Sequence, residues 1–257
     1  MATRVNPGAD NVVYLYGVTE KEIPLTKIAG VDGGNPVEAI PCAGLVCWVS
    51  RVSRAEFADN LPANMENLDW LAEASVQHQR VVSAIARETD ILPARFGTVF
   101  LTAASLETDV RSKKSILEKD FARIRGSDEF GIKVFSVPPK IEAPAIPAGS
   151  GKDYLKAKAA LLQRRPAKQQ TPDPALQDFQ GELGRIAVAT AESGKISGGQ
   201  RGLQWQTSVL LRRADRKKFD ALLRRYCKQW AGERRIECTG PWPAYSFVSR
   251  AEVATEK

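Results

Sequence analysis

The chain has 257 residues, 43% hydrophobic and 26% charged, with a formal net charge of +7. This is the composition of a folded globular protein and excludes a fibrous or disordered chain. No apolar run approaches the roughly 20 residues that span a bilayer. Met1–Asp10 lacks the apolar core of a signal peptide, so a cytoplasmic location is expected.

In chain order, Asn11–Val18 is β-branched and aromatic and reads as a buried strand. Val37–Ile40 and Leu45–Val52 read as a hairpin turning around Pro41 and Gly44. No phosphate-binding glycine pattern follows these strands, which leaves a nucleotide fold without support. Arg54–Asn60 reads as one or two helical turns. Asn67–Thr89 is a helix whose apolar face carries Leu71, Ala74 or Ser75, His78, Val82 and Ile85. Glu66, Asp69 and Glu73 sit at its N-terminal end, where the helix dipole favours negative charge. His78 is the single histidine, and its place on the apolar face predicts a hydrogen-bonded core residue. A general base would need an orienting carboxylate and a nucleophile, and the sequence nominates neither.

The chain is organised around Leu92–Phe100. A proline corner leads into an apolar segment carrying one charge, Arg95, next to Phe96 and Gly97. The glycine allows close backbone approach or a bulge. The segment reads as a strand, with the Arg95 guanidinium directed to a carboxylate or carbonyl; the functional alternative is an arginine presented to a partner. Ser105–Arg125 is a second helix, with Leu106, Val110, Leu117, Phe121 and Ile124 in register, closed by Gly126. A domain boundary is expected at 127/128.

Glu129–Val137 reads as a strand, followed by a proline-rich connector from Pro138 to Gly151. A helix is expected over Asp153–Arg165. After the proline cluster at 166–174, another carries Leu176, Phe179, Leu183 and Ile186. Gly194–Gly202 is a glycine-rich loop. Leu203–Leu211 alternates, which predicts a half-exposed antiparallel strand and a candidate sheet edge. Asp215–Trp230 is a helix with Phe219, Leu222, Leu223, Tyr226 and Trp230 on its core face. Arg235–Thr239 is a further strand, and Gly240–Val248 begins with a proline-bracketed corner that cannot sit in a central ladder. Ala251–Lys257 reads as a flexible tail.

The charge is unevenly placed. Residues 212–235 hold ten Lys/Arg and three Asp/Glu, the entire excess of +7. Lys217, Lys218, Arg224, Arg225 and Lys228 fall outside the apolar stripe, as a solvated face or as a basic interaction face for an acidic partner or nucleic acid. The four cysteines, at 42, 47, 227 and 238, show no metal-ligand spacing and read as buried reduced thiols. No cofactor is expected.

The order of elements after residue 127 is that of a ferredoxin-like sheet. The fold class expected is α+β with two domains, 1–127 and 128–250, the second a modified ferredoxin-like antiparallel sheet with helices on one face, and a tail at 251–257. A sheet of this kind with a basic helix can bind RNA. RNA-binding sheets stack bases on strand aromatics, however, and Trp205 belongs to the apolar set of its strand.

Four stretches resemble the gas vesicle protein F/L family. They are Tyr14-Leu15-Tyr16-Gly17-Val18; Trp70-Leu71 with Ala74 and His78; Leu92–Phe100; and Gly240–Val248. In the last, the family typically shows Gly-Pro-Trp-Pro-Pro-Tyr-Ser-Phe. Gly151-Lys152-Asp153-Tyr154-Leu155 is also similar to a family motif. The departures are small: Ala94 for a methionine or valine, Lys152 for an arginine, Ala244 for a proline. The resemblance implies a non-enzymatic accessory or minor structural protein of gas vesicles, located at the gas vesicle within the cytoplasm. It would act in assembly by binding shell protein A and other gas vesicle proteins. No catalytic residue, cofactor or metal comes with it. The structural or interaction candidates it nominates are Arg95, Phe96, Gly97, Gly240, Pro241, Trp242, Pro243 and Tyr245.

Overall fold

The computed structural model describes residues 10–25, 27–137, 173–192 and 200–249. The proline-rich connector, the motif at 151–155, the helix expected over 153–165, most of the 194–202 loop and the tail lie outside the described residues.

The first half is built on β1 (Asn11–Thr19), β2 (Glu38–Cys42) and β3 (Leu45–Ser53). β2 and β3 form the expected hairpin, pairing Cys42 with Leu45 across Ala43-Gly44. A π-helical turn at Ala55–Asp59 and α1 (Leu61–Glu66) lead to α2 (Leu68–Glu88). Asn67 caps α2 by accepting from the Asp69 and Trp70 amides, which satisfies two otherwise unpaired N–H groups. β4 (Ile91–Pro93) and β5 (Val99–Phe100) follow, then α3 (Ala103–Ile124). Thr102 and Ser105 form a reciprocal capping box at the start of α3. The strand order is β2-β3-β1-β4, with β5 also on β1.

Both faces of this sheet are covered. Val12, Tyr14 and Tyr16 pack with Ala74, Val81, Val82 and Ile85 of α2. Val13 and Leu15 pack with Leu106, Val110, Phe121 and Ile124 of α3. Eight consecutive residues of β1 are therefore buried, and its sequence is continuously apolar rather than alternating.

The second half contains β6 (Ser127–Ser136), α4 (Pro174–Ile186), β7 (Ala189–Ala191), β8 (Leu203–Arg212), α5 (Arg216–Gln229) and β9 (Arg234–Trp242). Its order, β7-β8-β6-β9, is antiparallel throughout. That is the ferredoxin-like arrangement expected, with both described helices on one face: Phe130, Ile132, Val209 and Leu211 pack with Phe179, Leu183, Phe219, Leu222 and Tyr226.

Four expectations need correction. Leu92–Phe100 is not one strand: β4 and β5 flank an excursion at 94–98, opposite a bulge between Leu15 and Gly17 of β1. β8 is not a sheet edge, since β7 and β6 flank it. Nor is it half-exposed throughout. Thr207 to Leu211 are all buried, because Leu210 turns away from the helices into the first-half core. Cys42 and Cys47 are buried as expected, but Cys227 on α5 and Cys238 on the rim strand β9 are exposed.

The closing segment ties the halves together. Ala244 and Phe247 are buried in the first-half core beside Leu210. Ser246 donates its amide (2.8 Å) and hydroxyl (2.6 Å) to Glu129. Ser249 makes the same two-point contact with Asp120, at 2.7 and 2.8 Å. Arg123 donates to the Phe247 carbonyl at 2.9 Å. These contacts give two buried carboxylates, Asp120 and Glu129, the charge-assisted partners that burial demands.

Candidate functional site

The four motif stretches converge on His78. The imidazole is 3% exposed. Its Nδ1 lies 2.9 Å from the Tyr14 hydroxyl and its Nε2 lies 3.3 Å from the Tyr245 hydroxyl. The Gly97 amide donates to Tyr14 at 3.0 Å, and Tyr245 donates to Gln79 at 3.2 Å. One assignment satisfies this chain: Gly97 N–H to Tyr14, Tyr14 O–H to Nδ1, Nε2–H to Tyr245, and Tyr245 O–H to Gln79. It requires a neutral imidazole, and burial lowers the His78 pKa from 6.5 to about 4. Burial likewise raises the Tyr14 and Tyr245 hydroxyls well above the ordinary phenol value. Tyr16 is raised to about 12, also chiefly by burial; it hydrogen-bonds Ser50 and the Val31 amide.

Aromatic rings close around the imidazole. Phe96 meets His78 edge-on at 5.9 Å and Trp70 at 6.0 Å. Trp70 lies 5.4 Å from Phe57, and its indole N–H reaches Glu56 at 2.7 Å. Such tilted ring pairs add to the area they bury. The excursion at 94–98 delivers Phe96 to this cluster. Ala94 N–H donates to the Tyr16 carbonyl and Thr98 accepts from the Leu15 amide, both at 2.9 Å, so the β1 ladder resumes on either side. Gly97 has φ +79°, a conformation that favours glycine. Without that turn its amide would not face Tyr14.

The nominated residues divide into two sets. Phe96, Gly97 and Tyr245 build the His78 cluster, and Pro243 is partly buried at the junction of the halves. Arg95, Gly240, Pro241 and Trp242 are exposed. No carboxylate among the described residues pairs with Arg95. The turn around it is held by its own carbonyl, which accepts from the Thr98 amide and hydroxyl. Gly240 has φ +119°, and a Cβ there would stand 2.7 Å from the Glu129 carbonyl oxygen. It therefore lets β9 press against β6 at the register shift between Glu129 and Gly131. The Gly240–Pro241 peptide is cis. Trp242, at the end of this rim strand, is 44% exposed.

Beside Trp242 lies a cavity of about 520 Å³, lined by Arg87, Asp90, Asp128, Arg213, Pro241 and Trp242 among others. Arg213 spans the halves, donating to Asp90 at 2.9 Å and Asp128 at 3.0 Å. Asp90 also accepts the Gly126 amide at 3.0 Å. Arg213 thus pairs with both carboxylates, and with Arg87 the lining carries two charges of each sign, leaving no single sign to select a ligand. Among the described residues no group of three His, Cys, Asp or Glu is placed to hold a metal.

The basic segment lies on α5. Lys217, Lys218, Arg224, Arg225 and Lys228 are all exposed. Arg225 is engaged, however: it pairs with Glu182 of α4 and lies over Tyr226, which lowers the Glu182 pKa. Lys218 pairs with Asp215 at 2.8 Å. Trp205 packs on the helix side of the sheet, 5.9 Å from Phe179, and offers no stacking platform on the helix-free face.

The buried carboxylates Asp120 and Glu129 were not foreseen as structural residues. Their signal was present in Ser246 and Ser249, three residues apart around Phe247, but reading it required knowing where the segment docks.

Comparison with known proteins places this architecture. The family model described as "Gas vesicle synthesis protein GvpL/GvpF" matches residues 12–249. The chain is 30% identical to gas vesicle protein L of Streptomyces sp., with 95% of each chain covered. It is 23% identical to gas vesicle protein F of Haloferax mediterranei, over 93% of this chain and 94% of the relative. The crystal structure of GvpF from Anabaena sp. PCC7120 shares its fold with a TM-score of 0.68 at 19% identity, covering 94% of this chain and 97% of that one. GvpF from Microcystis aeruginosa gives 0.65 at 21% identity, over 93% and 99%. A family match across both sheets and all four convergent stretches makes the chain a member of the gas vesicle GvpL/GvpF family.

Proposed function

We propose that this gas vesicle protein acts in vesicle assembly by holding subunits of the shell protein GvpA, and other gas vesicle proteins, before they enter the wall. The observation that carries the reading is the long open rim of the second sheet. β9 pairs with β6 on one side and with no described strand on the other. An unpaired rim can take an added strand from a partner. β9 offers nine residues, against five for β2, which contains Pro41, and three for β7. Exposed Pro241 and Trp242 terminate the rim and supply the side chains that an added strand would meet. The sequence pattern had favoured Leu203–Leu211 for this role; its interior position moves the proposal to β9.

We also propose that the halves 1–127 and 128–250 are the structural units, joined through the closing segment and Arg213, with the protein working at the vesicle within the cytoplasm and not as an enzyme. The test is a pull-down of purified chain against co-expressed gas vesicle components, followed by probing washed intact vesicles. Capture of GvpA supports the reading, and retention on the vesicles separates a wall-bound role from a transient one. Trp242→Ala should weaken capture about tenfold, as loss of an exposed aromatic anchor does. Capture unchanged in that variant removes β9 from the proposal; no capture by the wild type overturns the reading itself.

A further inference from the structure

The charge excess on α5 has a counterpart in the same chain. Between Arg54 and Arg80 there is no lysine or arginine, while Glu56, Asp59, Glu66, Asp69 and Glu73 all carry negative charge. Two of these are engaged: Glu56 accepts the Trp70 indole N–H and Asp59 pairs with Arg54. Glu66, Asp69 and Glu73 are exposed on α1 and α2, with no cation among the described residues to pair with them.

These three carboxylates border an apolar row. Leu68 is 77% exposed and Val76 66%, with exposed Ala72 between them. Residues 68, 72 and 76 recur every four positions and line one strip of the outer helix face. Asp69 and Glu73 form the adjacent strip. The inward face, with Ala74, His78, Val81, Val82 and Ile85, is on the other side. α2 therefore presents outward an apolar ridge edged with negative charge and without a partner among the described residues.

α5 is organised the opposite way. Its buried residues are Phe219, Leu222 and Tyr226. Lys217, Ala221, Arg224 and Lys228 recur at spacings of four, three and four on the contrary face, and all are exposed. None of these three cations pairs with a carboxylate among the described residues. Ala221 leaves a gap between them, into which a facing side chain fits. Long basic side chains can also lay their methylene stems over an apolar ridge while their charges reach flanking carboxylates.

No described ion pair joins the two faces within one chain. We propose that the α1–α2 acidic ridge of one copy docks the basic α5 row of a second copy, in a head-to-tail contact. Glu66, Asp69 and Glu73 meet Lys217, Arg224 and Lys228, and Leu68 and Val76 are covered by the basic stems. The occupant is argued from charge complementarity and helical spacing: the matching row is on this chain. Each exposed ion pair contributes little by itself, so the association is weak and salt-sensitive. The contact is heterologous, and every copy carries one face of each kind, so it propagates rather than closing as a two-fold dimer. It does not involve β9 and is independent of the shell-protein reading.

Sedimentation velocity on the full chain tests it. The wild type should gain mass with concentration at low ionic strength and return to one chain at high salt. Two neutralised variants, Asp69→Asn with Glu73→Gln, and Arg224→Gln with Lys228→Gln, should each remain single chains. Mixed in equal amounts they should form a species of two chains and no larger, since only one complementary pair of faces remains. Unchanged circular dichroism and thermal unfolding in both variants keep loss of fold apart from loss of contact. A wild type that stays a single chain at low salt, variants that associate as the wild type does, or a mixture that forms no pair would each overturn the proposal.

Discussion

The two halves use a β-sheet differently. The first sheet lies between α2 and α3, so β1 is buried on both faces from Val12 to Thr19. The second sheet carries its described helices on one face only. Its other face is covered where Ser246 and Phe247 dock, next to Ser208 and Leu210, and opens beyond, where Gln204 is exposed. β8 records the change along its own length, alternating at the open end and buried throughout near the junction. A closed sheet serves as a frame, whereas an open face and rim leave backbone and side chains available to partners. The closing segment joins the two, so the halves are expected to lose structure together.

Core truncation tests that coupling with the largest effect. Phe121→Ala in the first half and Phe179→Ala in the second each empty a fully buried site and should cost about 3–5 kcal/mol. If the segment couples the halves, both variants shift one common denaturant transition; two separable transitions, each moved by only one variant, would break the comparison. A pH series comes next. Burial holds the His78 pKa at about 4 in the fold, against an ordinary 6.5 in the unfolded chain, so the unfolded chain binds more protons between those values. The contribution is complete above about pH 6.5 and falls away as the pH drops towards 4, by up to about 3 kcal/mol. His78→Gln should flatten this slope in denaturant midpoints measured against pH.

Glu129→Ala should cost about 2 kcal/mol, because the Ser246 amide and hydroxyl lose a charged acceptor. Hydrogen exchange should then report earlier opening at 244–249 than in the α2 core. The smallest effect is expected for Arg213→Ala. Its two carboxylate pairs are partly exposed, so about 1 kcal/mol is the scale. A larger loss, confined to one half, would mean that Arg213 rather than the closing segment carries the coupling.

Much of this molecule was legible locally. The periodicity of Asn67–Thr89, Ser105–Arg125 and Asp215–Trp230 matched the cores of α2, α3 and α5, because a helix that buries one face must repeat its apolar residues at that spacing. The motifs at 92–100 and 240–248 carried the family, and the segregation of charge was plain from counting. His78 was placed in the core by its position on an apolar stripe, and the structure supplied its two tyrosine partners.

What local pattern could not decide was whatever depends on segments distant in the chain. Leu203–Leu211 alternates as an exposed strand would, yet Leu210 is buried because Phe247, far along the chain, folds back over that end. Asp120 and Glu129 look like solvated acids until Ser249 and Ser246 reach them. Phe96 and Gly97 belong to an excursion, not a strand: its two ends stay hydrogen-bonded to β1 through Leu15 and Tyr16, and Tyr14 accepts the Gly97 amide within the turn. The sequence by itself determined the elements, their apolar faces and the family, since those follow from spacing and residue type. Only the tertiary structure decided which strand is a rim, which acids are buried and where the four motifs meet, since a hydrogen bond or a covered face depends on a partner that periodicity does not name.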